Sequence, residues 1–438
     1  MSQIQEVKDA TDIVTVIGER LTLQRAGTYY KANCPFHSER SPSFFVNETI
    51  QRYKCYGCGE HGDVFEFLEK YEGLSFYETL KFLAEKAGIT LKEQSRTKED
   101  ELRDEVLTAL NLSKEYYHYL LVTHDVGIKA REYLKKRGIS MTMIKHFGLG
   151  FSMDSWDGLL TYLQKKKKIS HQVLLAAGLV ITGKTNRSYD RFRGRIMFPL
   201  KNHRGQVVGF SGRTLESDPK EAKYINSPET LVYHKSALLF GYSEQLQEIR
   251  KSKTMIVVEG EFDVISSVQA HVPNIVAIKG SAFTKEQARL IARLVETVYL
   301  SLDTDAAGVK ATKQALQVLK PYEIDVRVIR IPDGKDPDEL ARNHPKEWRE
   351  AAKRSISVYE FLLESALKQH DETTPEGKRA IMKEIAPYIS DITHAVEREH
   401  YISLLSQALK VKQDIIRSDV AMYSAKLVTT TQKSSGEQ

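Results

Sequence analysis

Between residues 253 and 331, short apolar runs alternate with amphipathic segments. Four runs rich in β-branched residues predict strands, and the segments between them carry aliphatic residues at three- and four-residue spacing, which predicts helices. The four runs are TMIVVEG from Thr254, NIVAIKG from Asn274, TVYLSLD from Thr297 and IDVRVIRIP from Ile324. Strands that alternate with helices predict a parallel sheet with crossover helices.

The flanking segments follow other patterns. Aliphatic residues at helical spacing predict mainly helices from Val106 to Ala177, and again from Ser357 to about Tyr423. Between Arg191 and Phe210 two apolar runs, RIMFPL and QVVGF, are separated by the turn sequence KNHRG, which predicts a strand, a turn and a strand. The polar segment Lys92–Glu105 is either a linker or the exposed start of a helix.

Composition narrows the class of protein. The chain has 438 residues, of which 41% are hydrophobic and 28% charged, which is typical of a water-soluble protein of two to four domains. No run approaches about 18 apolar residues, so no membrane span is expected. The N-terminus lacks the pattern of a secretory signal, and three Cys are too few for a disulfide scaffold. We therefore expect a cytoplasmic protein with reduced thiols.

The positive charge is concentrated in one segment. The net charge is +6, and residues 191–235 hold nine Lys or Arg against four Asp or Glu. A local basic patch is typical of a phosphate-binding surface. On charge alone, a solvated basic face is an equally good interpretation.

All three Cys belong to one metal-binding pattern. Cys34 and His37 form a C-x2-H pair, and Cys55 and Cys58 form a C-x2-C pair after a gap of 17 residues. Three thiolates and one imidazole complete the closed tetrahedral site of structural zinc, which leaves no position for a substrate. The alternative is a group of free buried thiols.

The segment between the two pairs has alternating apolar positions and predicts a hairpin, and hence a zinc ribbon. Aromatic and cationic side chains alternate around it. Such a mixture suits single-stranded nucleic acid, because bases stack on the rings and cations pair with phosphates; the alternative is that the rings fill a small core. The residues are Tyr29, Tyr30, Phe44, Phe45, Tyr53, Tyr56, Arg25, Lys31, Arg40, Arg52 and Lys54.

Carboxylates follow three of the predicted strands. Glu259 ends the first strand, Asp303 and Asp305 end the third, and Asp336 and Asp338 follow the fourth. The carboxyl ends of parallel strands meet at one edge of a sheet, and clustered carboxylates there favour Mg²⁺. A two-metal site about 4 Å across supports phosphoryl or nucleotidyl transfer. The alternative is that each Asp is only a helix cap or turn residue.

One further motif is interpreted as a chance match. Residues 178–185 fit the phosphate-loop pattern G-x4-G-K-T. That motif must follow a strand and open a helix, whereas Ser170–Ala177 is predicted to be a helix and no helical period follows.

Together these motifs resemble the bacterial DnaG-type DNA primases over residues 1 to about 420. In the zinc region CPFH, SPSF, CYGCG and GDVF resemble the zinc-binding domain of that family. In the basic region DRFRGRIMFP, GFSGR, KYINSPE and HK resemble its RNA polymerase motifs. The segments EGEFD and DTDAAG resemble the Toprim signature that primases share with topoisomerases. All of these motifs stand in the sequence at residues 34–37, 41–44, 55–59, 62–65, 190–199, 209–213, 223–229, 234–235, 259–263 and 303–308.

The resemblance implies a multidomain α/β fold with a zinc ribbon, a mixed α/β polymerase core that contains a Toprim parallel sheet, and a C-terminal helical part. The implied domains are the zinc ribbon, the basic N-terminal part of the polymerase core, the Toprim domain, the helical subdomain and a polar tail that we expect to be disordered. Their boundaries are 1–95, 96–252, 253–345, 346–423 and 424–438.

The resemblance also implies a reaction. A primer hydroxyl attacks the α-phosphate of a ribonucleoside triphosphate on a single-stranded DNA template and releases pyrophosphate. Glu259, Asp303 and Asp305 are the implied catalytic residues, with Glu259 as an acid/base or metal-linked group. The implied cofactors are one structural zinc and two Mg²⁺, with Mn²⁺ as a substitute, and the chain is expected to be a monomer. The implied Mg²⁺ ligands are Glu259, Asp303, Asp305, Asp336 and Asp338, with Asp263 in support, and the implied phosphate-binding residues are Arg193, Arg195, Arg213, Lys223 and Lys235.

Primases of this type carry a further C-terminal domain that docks on the replicative helicase. The helices after Ser357 resemble only the end of the polymerase domain, so the docking domain is expected to be absent and the helicase is a doubtful partner. Two other functions stay open. A Toprim nuclease would cleave DNA without ribonucleotides, and a non-catalytic zinc-ribbon DNA-binding protein would leave the acidic clusters without a role. The chain is too short for the strand-passage domain of a topoisomerase.

Overall fold

The chain forms two compact units. The first comprises Met1–Lys253, Thr284–Glu296 and Val318–Ile324, and the second comprises Thr254–Phe283, Thr297–Gln317 and Asp325–Gln438. The structure is a computed structural model that describes residues 3–434 apart from 38, 40, 73, 75, 92–96, 185, 216–221, 281–282, 293, 303–305 and 332–335.

The N-terminal part of the first unit is a five-stranded antiparallel sheet whose strands lie in chain order, packed against helices. Side chains alternate along β3 and β4, so that Phe44, Val46, Tyr53 and Cys55 are buried in a core that includes Phe67. The predicted hairpin is confirmed as β3 and β4. The elements are α1 (Gln3–Asp9), α2 (Ile13–Gly18), β1 (Gln24–Ala26), β2 (Tyr29–Ala32), β3 (Phe44–Asn47), β4 (Arg52–Cys55), β5 (His61–Gly62), α3 (Val64–Glu72) and α4 (Phe76–Lys86).

The rest of the first unit is a mixed α/β structure around a four-stranded antiparallel sheet in the order β11-β10-β9-β6. The predicted strand, turn and strand are confirmed as β9 and β10. A capping box between Thr97 and Asp100 starts α5, so this part of the polar segment is a helix start. The elements are α5 (Lys98–Val122), α6 (Ile128–Lys136), α7 (Met141–Phe147), β6 (Gly150–Ser152), α8 (Gly158–Thr161), α9 (His171–Ala176), β7 (Val180–Thr182), β8 (Ser188–Asp190), β9 (Arg195–Lys201), β10 (Val207–Thr214), β11 (Tyr224–Asn226), β12 (Leu239–Phe240) and α10 (Tyr242–Ser252).

The phosphate-loop match lies in a β hairpin. Val180 and Thr182 on β7 pair with Asp190 and Ser188 on β8, and Gly183 lies in the turn. A hairpin cannot form the strand-to-helix loop that the motif needs, so the interpretation as a chance match agrees with the described part of this segment.

The second unit contains the alternating strands and helices predicted from the sequence. Its strands lie in the order β14-β13-β15-β16-β17, in which the first four are parallel and β17 is antiparallel. β13 and β14 are almost wholly buried, as expected for parallel strands covered on both faces. The elements of this part of the chain are β13 (Thr254–Val258), α11 (Glu261–Gln269), β14 (Ile275–Ile278), α12 (Lys285–Ile291, in the first unit), β15 (Thr297–Leu300), α13 (Ala306–Leu319), β16 (Asp325–Val328), α14 (Pro337–Asn343), α15 (Pro345–Lys353) and β17 (Ile356–Ser357).

The chain ends in four helices, which confirms the helical C-terminal part. The last helix is assigned as far as Ser434, and the disorder expected for the polar tail stays a prediction. The helices are α16 (Val358–Gln369), α17 (Pro375–Ser390), α18 (Ala395–Leu409) and α19 (Gln413–Ser434).

In the described parts of the chain, no helix combines the length and the apolar composition needed to cross a membrane.

Candidate functional site

The four predicted zinc ligands converge on one point of the ribbon. One ligand atom from each of Cys34, His37, Cys55 and Cys58 lies within 4.8 Å of the others. The sulfur atoms of Cys34 and Cys58 are 3.8 Å apart, and the Cys55 sulfur is 3.7 Å from Nδ1 of His37. Within the described residues, no other group of three or more His, Cys, Asp or Glu side chains has this geometry. Three sulfurs and one imidazole at these distances fit a tetrahedral zinc ion.

The backbone around Cys55 is shaped for a metal-bound thiolate. The amides of Gly57 and Cys58 both donate hydrogen bonds to the Cys55 sulfur, at 3.3 and 3.4 Å. A Cβ atom on Gly57 would lie 2.4 Å from Nε2 of His37, so only glycine leaves room for the imidazole. Gly59 has a φ of +78°, a backbone conformation that favours glycine. The two glycines therefore allow the turn with Cys55 and Cys58 to lie against the His37 ring.

Glu39 supports the zinc ligands, and the sequence patterns did not reveal it. Its carboxylate accepts hydrogen bonds from the amides of Cys34, at 2.6 Å, and Ser43, at 2.9 Å, and lies 3.3 Å from Nε2 of His37. Burial opposes its ionisation, but the hydrogen bonds from Ser43 and from Cys34 outweigh burial and lower the pKa of Glu39. A carboxylate behind a ligating histidine fixes the ring orientation and raises the basicity of the ligand.

Burial raises the pKa of the Cys34 thiol and of the Cys58 thiol. Burial also disfavours the Cys55 thiolate, but hydrogen bonds from Ser43 and from backbone amides lower its pKa. A cation is therefore needed to hold all three sulfurs as thiolates, and zinc supplies it.

One face of the five-stranded sheet carries aromatic and cationic side chains. Phe45 pairs across the sheet with Lys31 on one side and Lys54 on the other. Tyr56 is 69% exposed, its ring centroid lies 5.5 Å from that of Phe45, and the Lys54 ammonium is 5.1 Å from the ring. The Tyr29 ring lies edge-on to that of Phe45, with the ring centroids 6.5 Å apart. We call Tyr29, Lys31, Phe45, Lys54 and Tyr56 the ribbon face.

The opposite face of the same sheet is core. Phe44 and Tyr53 are stacked with centroids 5.0 Å apart and are almost fully buried, and Phe36 and Phe67 pack on them. For these rings the alternative that they fill a small core is confirmed. Of the cations predicted to lie among the rings, Arg40 lies outside the described residues.

In the basic region, Arg193 lies beside two aromatic rings. Its guanidinium is 4.4 Å from the Trp156 ring and 5.4 Å from the Tyr189 ring, and Nη1 donates to the Asp190 carbonyl at 2.8 Å. Trp156 is 65% exposed. An exposed aromatic ring against a guanidinium is a surface on which a nucleobase can stack while the cation meets a phosphate. The sequence patterns did not single out Trp156.

The other predicted phosphate-binding residues divide into two pairs. Arg195 and Arg213 are 3% and 9% exposed. Arg195 on β9 donates to the Ala222 carbonyl at 3.0 Å, and Arg213 on β10 donates to the Tyr224 hydroxyl at 3.1 Å. These hydrogen bonds link β11 and the residues before it to the neighbouring strands. Lys223 and Lys235 are exposed to solvent.

Asp190 holds this basic loop in place. Its carboxylate accepts hydrogen bonds from the amides of Leu159, at 2.7 Å, and Leu160, at 2.9 Å, at the start of α8. Burial raises the pKa of Asp190 to about 6, although these two hydrogen bonds and the charge of Arg193 act in the opposite direction. The Asp190 amide donates to the Trp156 carbonyl at 2.7 Å, so this residue links both sides of the aromatic surface.

The predicted acidic edge is only partly described. Asp303 and Asp305 lie outside the described residues. Glu259 follows β13 and is exposed. Asp336 is exposed and caps α14, because its Oδ1 accepts from the Glu339 amide at 2.6 Å. A capping carboxylate keeps a second oxygen that is able to reach a cation.

Asp263 and Asp338 lie deeper at the same edge. Asp338 is 2% exposed and accepts hydrogen bonds from the Ser266 hydroxyl and from Nε of Arg342, at 3.1 Å. Its amide donates to Oδ1 of Asp263 at 3.2 Å. Asp338 as a Mg²⁺ ligand stays a prediction, and its contacts favour a supporting place behind Asp263.

The electrostatics of this edge favour a cation. Burial, and then the charges of Asp336 and Asp338, raise the pKa of Asp263 to about 7, although the Gly260 amide donates to its Oδ2 at 2.9 Å. Carboxylates that disfavour each other's ionisation are relieved by a divalent ion with a preference for oxygen ligands. The donor set present at the described part of the edge therefore fits Mg²⁺.

Asp263 is expected to make the free energy of unfolding of the second unit depend on pH. A carboxyl whose folded pKa is about 7, against an unperturbed value of 3.8, is protonated in the folded state and ionised in the unfolded state between those limits. Without Mg²⁺, the free energy of unfolding is expected to fall by up to about 1.4 kcal/mol per pH unit between pH 4 and 7. Asp263→Asn is expected to remove this contribution to the slope in urea unfolding measured across that range, while the contribution of Asp190 below about pH 6 remains. Asp371→Asn is the control, because hydrogen bonds from Thr373 lower the pKa of Asp371, which produces no slope in this window. An unchanged slope in Asp263→Asn would contradict the assignment.

The comparisons with known proteins cover most of the chain. Residues 1–99 match a family model for the CHC2 zinc finger, residues 116–246 the N-terminal domain of the DNA primase catalytic core, and residues 256–341 a Toprim-like domain. The DNA primase of Clostridium acetobutylicum is 36% identical over 425 residues, which are 95% of this chain and 70% of that protein. The chain belongs to the bacterial DnaG-type DNA primase family.

Solved primase structures share the fold. The Aquifex aeolicus primase, with its zinc-binding and RNA polymerase domains, aligns with a TM-score of 0.61 at 32% identity, over 95% of this chain and 99% of that one. A DnaG primase catalytic domain bound to single-stranded DNA aligns with a TM-score of 0.62 at 31% identity, over 72% of this chain and 99% of that one.

The predicted function is thus confirmed: the chain is a DNA primase, a DNA-directed RNA polymerase of the nucleotidyltransferase class that acts in replication. Its CHC2 zinc finger binds zinc, and its Toprim-like domain implies a divalent metal.

The expectation that the helicase-docking domain is absent was wrong. Residues 359–414 match a family model for the DnaB-helicase binding domain of primase, which connects this primase to the primosome. These residues form α16, α17, α18 and the start of α19. Apolar spacing in this segment predicted the helices, but helical spacing only identifies the buried side of each helix and carries no information about a partner on the other side.

Proposed function

We propose that this primase joins ribonucleotides at the carboxyl edge of the parallel sheet in its second unit. Glu259, Asp303, Asp305 and Asp336 are the proposed Mg²⁺ ligands, and Asp263 and Asp338 support them. The observation that carries the proposal is that the segment after β13 and the start of α14 meet at this edge, where the Asp338 amide donates to Oδ1 of Asp263 at 3.2 Å. The raised pKa of Asp263, caused by burial and by the charges of Asp336 and Asp338, supports it. Two Mg²⁺ ions at such an edge would polarise the α-phosphate and stabilise the attacking and leaving oxygens.

The residues of the chain have distinct tasks in this reaction. Glu259 is exposed at the end of β13, where it would bind metal or accept the proton of the primer hydroxyl. Asp263 keeps the following turn in place through its hydrogen bond from the Gly260 amide. Asp336 contributes a carboxylate to the metal site from the start of α14, where the hydrogen bond that it accepts from the Glu339 amide fixes the first turn. In-line attack on the α-phosphate requires the carboxylates to be held before the substrate arrives.

The number of metal ions is tested by titrating the zinc-loaded chain with Mn²⁺ and following free Mn²⁺ by electron paramagnetic resonance. Two bound ions per chain are expected. Binding of a single ion would contradict the two-metal proposal, and binding that is unaffected by Glu259→Gln would contradict the ligand set.

We propose that the zinc ion is single and structural. The four ligands fill a tetrahedral site, and the Cys55 and Cys34 sulfurs are buried, which leaves no position for a substrate. In this role zinc keeps the sheet in register and so holds the ribbon face in place.

The ribbon face is proposed to bind the single-stranded template. Its rings are available for base stacking, and Lys31 and Lys54 lie on either side of Phe45 to meet phosphates. A related primase catalytic domain has been solved with single-stranded DNA.

A second set of contacts to template or nucleotide phosphates is proposed in the basic region. It consists of Arg193, with Trp156 beside it, and the exposed Lys223 and Lys235. Arg195 and Arg213 are proposed to act chiefly by shaping that surface, since both are buried.

Tyr56→Ala is expected to weaken binding of single-stranded DNA by about 5- to 150-fold, because one stacked base is worth about 1–3 kcal/mol. Lys54→Ala is expected to reduce the slope of log affinity against log salt concentration by about 0.7, the value for one lost phosphate contact on a single strand. Fluorescence anisotropy of a labelled oligonucleotide measures both. Lys81→Ala, at an exposed position of α4 away from the sheet, is the control and should bind as the wild type does. Wild-type affinity of Tyr56→Ala at normal zinc content would refute the role of the ribbon face.

We propose that the domains keep the boundaries predicted from the sequence, at residues 95, 252, 345 and 423, and that the chain is a monomer in the cytoplasm. The three cysteines form no disulfide, which is expected in a reducing compartment. The related proteins are bacterial primases. Through residues 359–414 we propose that the primase binds the replicative helicase.

A further inference from the structure

A buried ion pair lies at the acidic edge of the second unit. The Lys279 ammonium contacts the Glu261 carboxylate, and the two side chains are only 7% and 4% exposed. Removing two charges from water is costly, so a buried pair of this kind persists only where its geometry is well defined. Neither residue belongs to the predicted ligand set, although both lie next to it in the fold.

The strand register explains why these two residues meet. β13 and β14 are parallel neighbours, and Val258 is opposite Ala277. Gly260 and Lys279 therefore leave the sheet side by side at its carboxyl edge. Glu261 is the first residue of α11, immediately after Gly260. The ion pair thus ties the turn between β13 and α11 to the end of the neighbouring strand.

The same turn is held from its other side. Oδ2 of Asp263 accepts a hydrogen bond from the Gly260 amide at 2.9 Å, and a Cβ atom on Gly260 would approach that oxygen equally closely. The turn is therefore fixed by Asp263 within its own helix and by Lys279 from the adjacent strand. Glu259, the exposed residue of this turn, has its backbone position set by both contacts.

We propose that Lys279 is a positioning residue, whose buried ion pair with Glu261 sets the place of the Glu259 carboxylate at the metal-binding edge. The inference rests on the proposed function of Glu259 as a metal ligand. Lys279 acts through Glu261 and the turn, because its side chain is buried and is engaged by the carboxylate rather than presented to a substrate. Residues that orient metal ligands without touching the metal alter metal affinity when they are changed.

The test measures Mn²⁺ affinity of the zinc-loaded full chain by electron paramagnetic resonance. Lys279→Met is expected to weaken Mn²⁺ binding by about 10-fold or more. The Mg²⁺ concentration for half-maximal primer synthesis should rise by a similar factor, with a smaller loss of rate at saturating Mg²⁺. Lys279→Arg, which keeps the charge, should restore most of the affinity. Wild-type Mn²⁺ affinity in folded Lys279→Met would overturn the proposal.

A matched control separates positioning from general stability. Lys313 pairs with Glu384 at 2.6 Å between α13 and α17, and the two side chains are 25% and 18% exposed. Lys313→Met makes the same chemical change in the same unit, and it should leave Mn²⁺ affinity unchanged even if it lowers the melting temperature. Equal weakening of Mn²⁺ binding in Lys313→Met and Lys279→Met would assign Lys279 a merely structural role.

Two further variants keep the outcome decisive. If Lys279→Met does not fold, the double variant Glu261→Gln with Lys279→Met removes both charges and leaves no unpaired ion, and it should show the same weakening; wild-type affinity there would overturn the proposal. Glu259→Gln tests the underlying function. Weak Mn²⁺ binding by Glu259→Gln beside wild-type binding by the Lys279 variants rejects only the role of Lys279. Wild-type binding by Glu259→Gln rejects the proposed metal role of Glu259, and the inference with it.

Discussion

Glu259→Gln is expected to lower the rate of primer synthesis by two to three orders of magnitude. The change keeps the size of the side chain and removes the charge that would bind a divalent ion or accept a proton, and losses of about 10²–10³ are typical when one such electrostatic contact is removed. Since Glu259 is exposed at the end of β13, its replacement leaves the buried strand and the core intact. The thermal transition should therefore stay within a few degrees of the wild type.

The measurement is incorporation of labelled ribonucleotides on a single-stranded template at saturating Mg²⁺. Glu372→Gln is the matched control, because it makes the same change at an exposed position between α16 and α17. That control should synthesise primers at the wild-type rate. A Glu259→Gln variant that retains more than about a tenth of the wild-type rate would exclude Glu259 from the catalytic centre.

Cys58→Ala is expected to lose zinc and, with it, the folded zinc ribbon. Cys58 is the exposed member of the four ligands, so its removal costs little packing. The expected effect comes almost wholly from the metal, because structural zinc contributes on the order of 10 kcal/mol to the folding of small zinc domains. Without the ion, burial favours the protonated form of Cys34, and the two cysteine pairs are no longer linked.

Zinc content by plasma mass spectrometry and template binding by anisotropy measure this prediction. Tyr56→Ala is the comparison, since it changes an exposed neighbour in the same turn and should keep its zinc while binding DNA more weakly. Normal zinc content in Cys58→Ala would show that three ligands suffice and would contradict the closed four-ligand site.

The sequence predicted those features that depend on local spacing. Each pair of zinc ligands lies within one tight turn, so Cys34, His37, Cys55 and Cys58 were recognisable without knowledge of the fold. The strands of the parallel sheet were recognisable for the same reason, because buried strands such as β13 and β14 are continuous apolar runs bounded by helices.

Features that depend on contacts between distant residues were not predictable. Lys279 follows an apolar strand and has the character of an ordinary surface lysine until the register of β13 and β14 brings Glu261 to it. Asp190 and Trp156 meet across a loop and a helix start, which no periodic pattern reveals. Glu39 lies in the polar segment between the cysteine pairs, where no spacing rule separates a supporting carboxylate from a solvated one.

The aromatic residues of the ribbon form one group in the sequence, but in the structure some lie in the core and others on the ribbon face. Phe44 and Phe45 are neighbours in the chain, but the pleat of β3 sends one into the core and the other to the ribbon face. The alternation was visible in the sequence, but which side is buried depended on α3, whose Phe67 packs on Phe44.

The most direct test of the account compares the wild type with Asp303→Ala in ribonucleotide incorporation on single-stranded DNA with Mg²⁺. Asp303 was assigned from the sequence alone, so the assay tests the reaction and the proposed acidic edge together. Short RNA products are expected from the wild type and none from Asp303→Ala, with equal binding of template by both. Primer synthesis by Asp303→Ala at the wild-type rate would contradict the metal site at this edge of the sheet.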